Sequence, residues 1–191
     1  MSIFPSLIGL YSSAPQSGKT TVASYLSGMG YTRLSFATPI KRMAQVLLTE
    51  LGYSDEEAYK LLHERKEEKL ECVSTTSRHV LQTLGTEFGR GCVHPQVWLM
   101  CAERALGNHR AEGRPVVFDD CRFPDEAEFI RRLGGELWRI ERPGNERQTD
   151  HASEGGLDEY PLFDRRLVND GSLLALHSRV REIVTPLSLA S

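Results

Sequence analysis

The sequence predicts an α/β fold in which a parallel β-sheet is flanked by helices. Short apolar segments alternate with amphipathic ones along most of the 191 residues, which is typical of strand–helix–strand units. The segment Pro115–Asp119 is almost wholly apolar, as expected of a strand covered on both faces of a parallel sheet. Hydrophobic residues make up 40% and charged residues 26% of the chain, which excludes a disordered or fibrous protein.

The chain begins with a strand, a loop and a helix. Ser6–Tyr11 is apolar and lies between Pro5 and a loop rich in Ser, Pro and Gly, which predicts the first strand. A helix is predicted over Lys19–Met29, where glycines end it. Thr32–Ala37 alternates in polarity and is predicted as the second strand.

A long helical stretch follows the second strand. Apolar residues at helical spacing over residues 40–51 predict a strongly amphipathic helix that begins at Pro39. Ser54 begins a capping box and a charged segment that extends to Glu71. Two more helices are predicted, over Ser77–Phe88 and Pro95–Leu106. We expect a helical insert over about residues 39–107, beside a core of about residues 1–38 and 108–191.

Strands and helices alternate again in the last third. A strand is predicted over Glu136–Glu141, and the polar segment Arg142–Pro161 is expected to be a mobile loop. The other predicted elements are a helix over Pro124–Leu133, a strand over Arg166–Asn169 and a final helix capped by Ser172.

The clearest chemical signal lies between the first strand and the first helix, and it reads Ser13-Ala14-Pro15-Gln16-Ser17-Gly18-Lys19-Thr20. Gly18 lets backbone amides turn towards phosphate oxygens, and the N-terminus of the following helix favours an anion. Lys19 can reach the β- and γ-phosphates of a nucleotide, and the Thr20 hydroxyl can bind Mg²⁺. The phosphate-loop motif has glycine at its first position, where this chain has Ser13. Because serine adopts the backbone angles of that glycine only at a cost, we expect backbone strain at Ser13.

Two carboxylates follow the apolar strand. An acid at the carboxyl end of such a strand is placed to organise Mg²⁺ beside a phosphate-binding loop. Asp119 and Asp120 cannot point the same way from a strand. We expect Asp119 to organise the metal or to act as a base, and Asp120 is the second candidate. The structural alternative is an aspartate that only caps the strand end.

Arginines at helix ends and in loops form a third feature. Phosphoryl transfer requires several guanidinium groups that hold the substrates and offset charge in the transition state. Arg122 immediately follows the two acids, so we expect it near the phosphates. The other candidates are Arg78, Arg90, Arg142 and Arg147, each of which taken singly is more typical of a surface arginine.

Several blocks of the sequence resemble the bacteriophage deoxynucleoside monophosphate kinases. The blocks are FATPIK at 36–41, RHVLQTLGTEFGR at 78–90, DDCRFPDEA at 119–127, DHASE at 150–154 and VNDGS at 168–172. They follow the order of that family over nearly the whole chain. The resemblance implies a single P-loop kinase domain over residues 1–191, similar to nucleoside monophosphate kinases. It also implies transfer of the ATP γ-phosphoryl group to a dNMP, with Mg²⁺ as cofactor.

The resemblance implies roles for the matched positions. Lys19, Asp119 and Arg122 would be catalytic, and Thr20 and Asp119 would hold Mg²⁺. ATP would be bound by residues 13–20 and Arg142, and the loop over about residues 142–161 would be the lid. The dNMP would be bound by a larger set, Lys41, Arg78, Arg90, Asp120, Arg122, Glu126 and Asp150.

Composition also limits the expected partners. The net charge is −3, whereas a general nucleic-acid or membrane binder is usually basic, so we expect neither partner. No apolar run approaches the ~20 residues of a membrane helix, and the N-terminus lacks the basic flank of a signal peptide. ATP and deoxynucleoside monophosphates are the expected partners, and a homodimer is left open. A cytoplasmic location is expected, in the host cytoplasm if a phage encodes the protein.

Two other functions remain open, and a third lacks the motif that it requires. A dephospho-CoA kinase shares the phosphate loop and an Asn-Asp-Gly ending like residues 169–171, but not the block at 78–90. A GTP-binding switch needs an NKxD motif, which this sequence lacks. A catalytically inactive nucleotide-binding module is suggested by Ser13.

Overall fold

Five parallel strands form the central sheet. The computed structural model describes residues 5–144 and 156–185. The strands are β1 (Leu7–Tyr11), β2 (Thr32–Leu34), β3 (Val116–Phe118), β4 (Glu136–Glu141) and β5 (Arg165–Val168). They are ordered β2-β3-β1-β4-β5, and every pair of neighbours is parallel. The predicted α/β class is therefore confirmed.

Helices connect the strands, and one segment has π-helical geometry. They are α1 (Lys19–Gly28), α2 (Thr38–Glu50), α3 (Asp55–His63), α4 (Ser77–Gln82), a π-helix (Thr83–Val93), α5 (Val97–Ala111), α6 (Pro124–Arg132) and α7 (Leu173–Val184). Among the described residues, none of these helices is long and apolar enough to cross a membrane.

The chain divides into two compact units. The described residues up to Ser35 and from Ala102 onwards form the first, here called the sheet unit, and Phe36–Cys101 forms the second, the helical unit. The core of the helical unit contains Ala44, Leu48, Ala58, Leu61, Leu62 and Leu70. A nucleotide-binding role for the predicted insert stays a prediction.

The sheet separates two groups of helices in the sheet unit. On one face, strand residues such as Ile8 and Val117 pack in one core cluster with residues of α1 and α7. On the other face, the ring of Phe118 packs edge-on against Phe129 of α6, with the ring centroids 6.2 Å apart. Because side chains alternate along a strand, the face on which each residue lies is set by its position.

The helix predicted over Ser77–Phe88 changes geometry half-way. It is α-helical to Gln82 and then π-helical, with the His94 amide donating to the Gly89 carbonyl five residues earlier at 3.0 Å. Phe88, which α-helical periodicity points inward, is 45% exposed. A π-helix turns less per residue, so the burial pattern expected from a period of 3.6 fails there.

The amphipathic helix predicted to begin at Pro39 is α2, but only part of its apolar surface is buried. Ala44 and Leu48 are fully buried. The other side exposes four large apolar residues on α2 and the residue after it, Met43, Val46, Leu47 and Leu51. The helix therefore carries more apolar surface than the fold of one chain covers.

Candidate active site

The phosphate loop, residues 13–20, lies at the carboxyl edge of the sheet. It follows β1, which is hydrogen-bonded to β3 on one side and to β4 on the other, and it runs into α1. In parallel α/β sheets, ligands bind at this edge. Gly18 has φ +107°, and a Cβ there would lie 2.8 Å from Asn169 Nδ2. Glycine is thus required at this position both for backbone conformation and for space.

The strain expected at the first loop position is found elsewhere. Ser13 does not have a positive φ, so the expectation for that residue is wrong. Among the described non-glycine residues, a positive φ occurs only at Gln16, at +55°. The backbone makes its left-handed turn in the middle of the loop, and serine at the first position therefore costs no backbone strain of this kind.

Side chains within and beside the loop fix its shape. The hydroxyls of Ser12 and Ser17 both donate to the carbonyl oxygen of Ala14, at 2.9 and 2.5 Å. The Lys19 ammonium donates to Ser12 Oγ. Ser12 and Ser17 are buried, so these bonds are shielded from water and hold the loop in one conformation.

The loop is also held by residues that follow β4 and β5. Asn169 Nδ2 donates to the Ser17 carbonyl at 3.1 Å, and Arg142 Nη1 donates to the Gln16 carbonyl at 3.3 Å. Arg142, predicted to bind ATP, therefore lies against the loop. The sequence reasoning gave Asn169 no role, although its position directly after the last strand places it at the same edge of the sheet.

The two acids after β3 lie near β2. Asp119 forms an ion pair with Arg33, and Asp120 Oδ2 accepts a hydrogen bond from Ser35 Oγ at 2.6 Å. Arg33 is in register with Val117, which packs in the same core cluster as residues of α1. Asp119 thus lies on the α1 face of the sheet, the face covered by the helix that contains Thr20 in its first turn. Arg33 was missed because nothing in a three-residue strand marks it as a partner for a distant acid.

Glu126 is buried at the start of α6, with 3% of its surface exposed. Its Oε2 accepts hydrogen bonds from the backbone amides of Arg122 and Phe123, at 2.7 and 3.1 Å. The predicted role of Glu126 was to bind the dNMP. In this arrangement its carboxylate closes the turn between Asp120 and α6, and it fixes the backbone from which the Arg122 side chain extends.

A buried thiol adds to the electrostatics of this turn. Burial raises the pKa of Cys121 well above its ordinary value, and the nearby carboxylates of Glu126 and Asp120 raise it further. Cys121 is therefore a neutral packing residue at neutral pH and not a nucleophile.

An open groove of about 600 Å³ runs along the outer sides of α1 and α7 and reaches Thr20. The rings of Tyr25 and His177 stack in it with their centroids 4.1 Å apart. Its other lining residues are Thr21, Ser24, Gly28, Met29 and Leu173. The groove gives the Thr20 end of the phosphate loop a mainly apolar neighbourhood.

The remaining predicted ligands belong to the helical unit or lie outside the described residues. Lys41 is in the first turn of α2, and Arg78, in the first turn of α4, forms an ion pair with Glu67. Arg90 is in the π-helix, where its Nη1 donates to the Pro95 carbonyl at 3.3 Å. Asp150, Arg147 and most of the predicted lid fall on residues 145–155, outside the described residues.

Comparison with known proteins identifies the family. The family described as deoxynucleotide monophosphate kinase matches residues 44–180. The chain belongs to this family. A protein of Acanthamoeba polyphaga mimivirus that carries the name of a deoxynucleotide monophosphate kinase is 32% identical over 189 residues, covering 91% of this chain and 93% of that protein.

Two further similarities agree with this membership. The deoxynucleoside-5'-monophosphate kinase of Escherichia phage T5 is 33% identical over 104 residues, which cover 51% of this chain and 41% of the phage protein. The crystal structure of TT1252 from Thermus thermophilus superposes with a TM-score of 0.51 at 19% identity, over 97% of this chain and 99% of that one. The likeness to TT1252 concerns the fold alone.

Proposed function

We propose that this protein transfers the γ-phosphoryl group of ATP to a deoxynucleoside monophosphate, giving ADP and a deoxynucleoside diphosphate. The observation that carries the proposal is the preformed phosphate loop at the carboxyl edge of the sheet, in a chain of the deoxynucleotide monophosphate kinase family. The proposed product is a precursor for DNA synthesis, and the proposed place of action is the cytoplasm, that of the host if a phage encodes the protein.

The sheet unit supplies the proposed ATP site. Gly18 and Gln16 turn the loop so that backbone amides can surround phosphate oxygens. Lys19, at the first turn of α1, adds a positive charge where the helix N-terminus already favours an anion. Arg142 lies against the same loop and can bind the transferred phosphoryl group or its neighbour.

The oxygen donors beside the loop fit Mg²⁺. The Thr20 hydroxyl and the Asp119 carboxylate are hard oxygen ligands, and Mg²⁺ is commonly held by one or two protein oxygens together with substrate phosphates. No cluster of three or more His, Cys, Asp or Glu side chains that could hold a metal alone occurs among the described residues. The metal, when bound, neutralises charge on the phosphates and orients them. Asp119 is favoured over Asp120 because it lies on the α1 face.

Positive side chains are proposed to hold the acceptor phosphate. They are Lys41, Arg78 and Arg90 in the helical unit and Arg122 in the sheet unit, with Asp120 and Asp150 as further dNMP ligands. Glu126 is proposed to act by fixing the backbone of Arg122, which its two hydrogen bonds support. A guanidinium on a fixed backbone loses less conformational freedom when it binds a phosphate.

The proposed chemistry requires alignment and charge compensation. A nucleotide phosphate is already a competent nucleophile at pH 7, so no strong base is needed. Lys19 and the arginines offset the repulsion between two anionic substrates and the charge that develops in transfer.

The test is an ADP-release assay over dGMP, dTMP, dCMP, dAMP, the ribonucleotides and dephospho-CoA. We expect turnover with one or more deoxynucleoside monophosphates. Lys19→Ala should lower kcat by about 100-fold or more, because a charge aimed at the transferred group is lost. Lys60→Ala is the matched control, since Lys60 forms an exposed ion pair with Glu56 on α3 and should leave the rate unchanged.

Each outcome decides between the candidate functions. Turnover of dephospho-CoA alone would assign the alternative kinase activity. ATP binding without ADP formation on any acceptor would assign an inactive nucleotide-binding protein. An unchanged rate in Lys19→Ala, with full activity in the parent protein, would refute the role of Lys19.

A further inference from the structure

The helix α2 has an exposed face with a regular composition. Exposed residues recur at i, i+1, i+4, i+5, i+8 and i+9 along it and its C-cap, which is the spacing of one side of a helix. They are Arg42, Met43, Val46, Leu47, Glu50 and Leu51, here called the α2 face. Val46 is 61% exposed and Leu47 43%. The face thus has an apolar middle and one charge of each sign towards its ends.

This composition is unusual for a surface that only meets water. Solvated helix faces are mostly charged or polar, whereas four of the six residues here are large and apolar. The opposite side of α2 is already packed, with Ala44 and Leu48 fully buried in the core of the helical unit. Core packing therefore accounts for the buried side and not for the apolar residues of the α2 face.

The two charges of the α2 face have no ion-pair partner within the described residues. Arg42 and Glu50 are both exposed, and they lie eight residues apart, or about 12 Å along the helix. At that distance they do not pair with each other. They form a positive and a negative end on either side of the apolar centre.

We propose that the α2 face binds the same face of a second copy of this chain, with the two helices antiparallel about a two-fold axis near Val46 and Leu47. In such a closed symmetric contact, residue i of one chain lies opposite residue j of the other, and the reverse holds as well. An axis at Val46 places Arg42 of each chain opposite Glu50 of its partner, because both are four residues from the centre.

The charges also select the orientation of the two helices. A parallel arrangement would place Arg42 against Arg42 and Glu50 against Glu50, and like charges in contact oppose association. The antiparallel arrangement converts both into opposite-charge pairs and covers the apolar residues at the same time. A helix face that is complementary to itself in this way fits a second copy of the chain better than an unrelated partner of one charge sign.

A charge swap tests this proposal independently of the enzymatic activity. The full chain is measured by sedimentation velocity and multi-angle light scattering across a range of concentrations, and we expect a reversible dimer. Arg42→Glu and Glu50→Arg should each weaken dimerisation by about tenfold or more, because each places like charges opposite one another. The double variant Arg42→Glu/Glu50→Arg should restore the dimer, since it exchanges the partners of each pair.

The control is Arg104→Glu, which makes the same charge change at an exposed position of α5 outside the α2 face. It should dimerise as the parent chain does. A monomer at every concentration would overturn the proposal. So would a dimer that either single variant leaves unchanged, or a double variant that stays monomeric while its circular dichroism and melting temperature match those of the parent.

Discussion

The phosphate loop and the π-helix carry proposed ligands in different units, and different interactions shape them. Much of the form of the phosphate loop comes from its own residues and the one before it, through the left-handed Gly18 and the hydroxyls of Ser12 and Ser17 on one carbonyl. Asn169 and Arg142 add hydrogen bonds from further along the chain. The π-helix is contacted by a residue that lies beyond its own end. The Trp98 indole donates to the Gly85 carbonyl at 2.7 Å and packs directly against Gly89.

The two segments differ in whether the residues that contact them are close in the sequence. A loop whose conformation depends mainly on local backbone interactions can be recognised from eight consecutive residues. The π-helix has no comparable local pattern, because the ring that it packs against, Trp98, lies beyond its last residue. Substitutions at the glycines of each segment separate the two cases.

We expect the largest effect from Gly18→Ala. An alanine at φ +107° is strained by about 1–2 kcal/mol, and its Cβ would displace Asn169 from the Ser17 carbonyl. Because the loop must align phosphates closely, kcat/KM should fall by about 100-fold. Gly28→Ala is the matched control, since a Cβ there meets no atom within 4 Å and should leave activity intact. Equal activity of the two variants would show that the loop is not held by Gly18.

Gly89→Ala should destabilise the helical unit. Its Cβ would lie 2.1 Å from Trp98 Cζ2, so the ring or the π-helix must move. Overpacking of this kind costs about 1–3 kcal/mol in the free energy of unfolding, measured by urea denaturation. Gly91→Ala in the same π-helix has 3.6 Å of space to its nearest contact and should cost much less. A similar loss in both variants would contradict a specific clash with Trp98.

Trp98→Phe should have a smaller effect and should partly rescue Gly89→Ala. Phenylalanine removes the hydrogen bond to the Gly85 carbonyl, at a cost of about 1 kcal/mol, and also removes the atoms that the new Cβ meets. The double variant should therefore lose less free energy of unfolding than the sum of the two single variants. Additive losses would show that Trp98 and Gly89 do not act on one another.

The smallest effect concerns pH and belongs to the sheet unit. Burial and nearby Glu136 raise the pKa of Tyr31 to about 12, above its usual value near 10, and its hydroxyl donates to the Pro5 carbonyl. The contribution of the protonated phenol to the free energy of unfolding is fully present below pH about 10 and is lost as the pH rises towards 12.

The measurement is the free energy of unfolding between pH 8 and 11, for the parent protein and for Tyr31→Phe. The parent should lose stability relative to the variant above pH 10. Tyr59→Phe, at a 54% exposed ring of the helical unit, is the control. A difference between parent and variant that stays constant with pH would contradict a shifted titration of Tyr31.

Much of the sheet unit could be predicted from the sequence. The strands β1 and β3 could be predicted from apolar runs. The start of α1 could be predicted from the glycine, lysine and threonine of the phosphate loop, because each of these signals is local. The first three predicted strands were longer than the observed ones, whereas the fourth has the bounds of β4. Thr32–Ala37 was predicted where β2 ends at Leu34, since alternation does not reveal where the neighbouring strand stops.

The rest depended on contacts that no short pattern encodes. The ion pair between Arg33 and Asp119 joins residues 86 apart, and the register of β2 on β3 brings them together. The exposed side of α2 has the same apolar periodicity as a buried one, so the pattern could not separate the core residue Leu48 from Leu47. The role of Glu126 as a dNMP ligand stays a prediction. Its hydrogen bonds to the backbone amides of Arg122 and Phe123 could not be predicted, because a carboxylate in a matched motif does not reveal which neighbouring groups it will bond.

The hydrogen bond from Asn169 to the Ser17 carbonyl spans 152 residues of chain. During synthesis, the phosphate loop after β1 is made early, and this hydrogen bond can form only after the last strand has been made. Contacts so distant along the chain form late and slow the search for the native state. A nascent or truncated chain that has not reached residue 169 would lack this support, and nucleotide binding would be postponed until nearly the whole polypeptide has assembled.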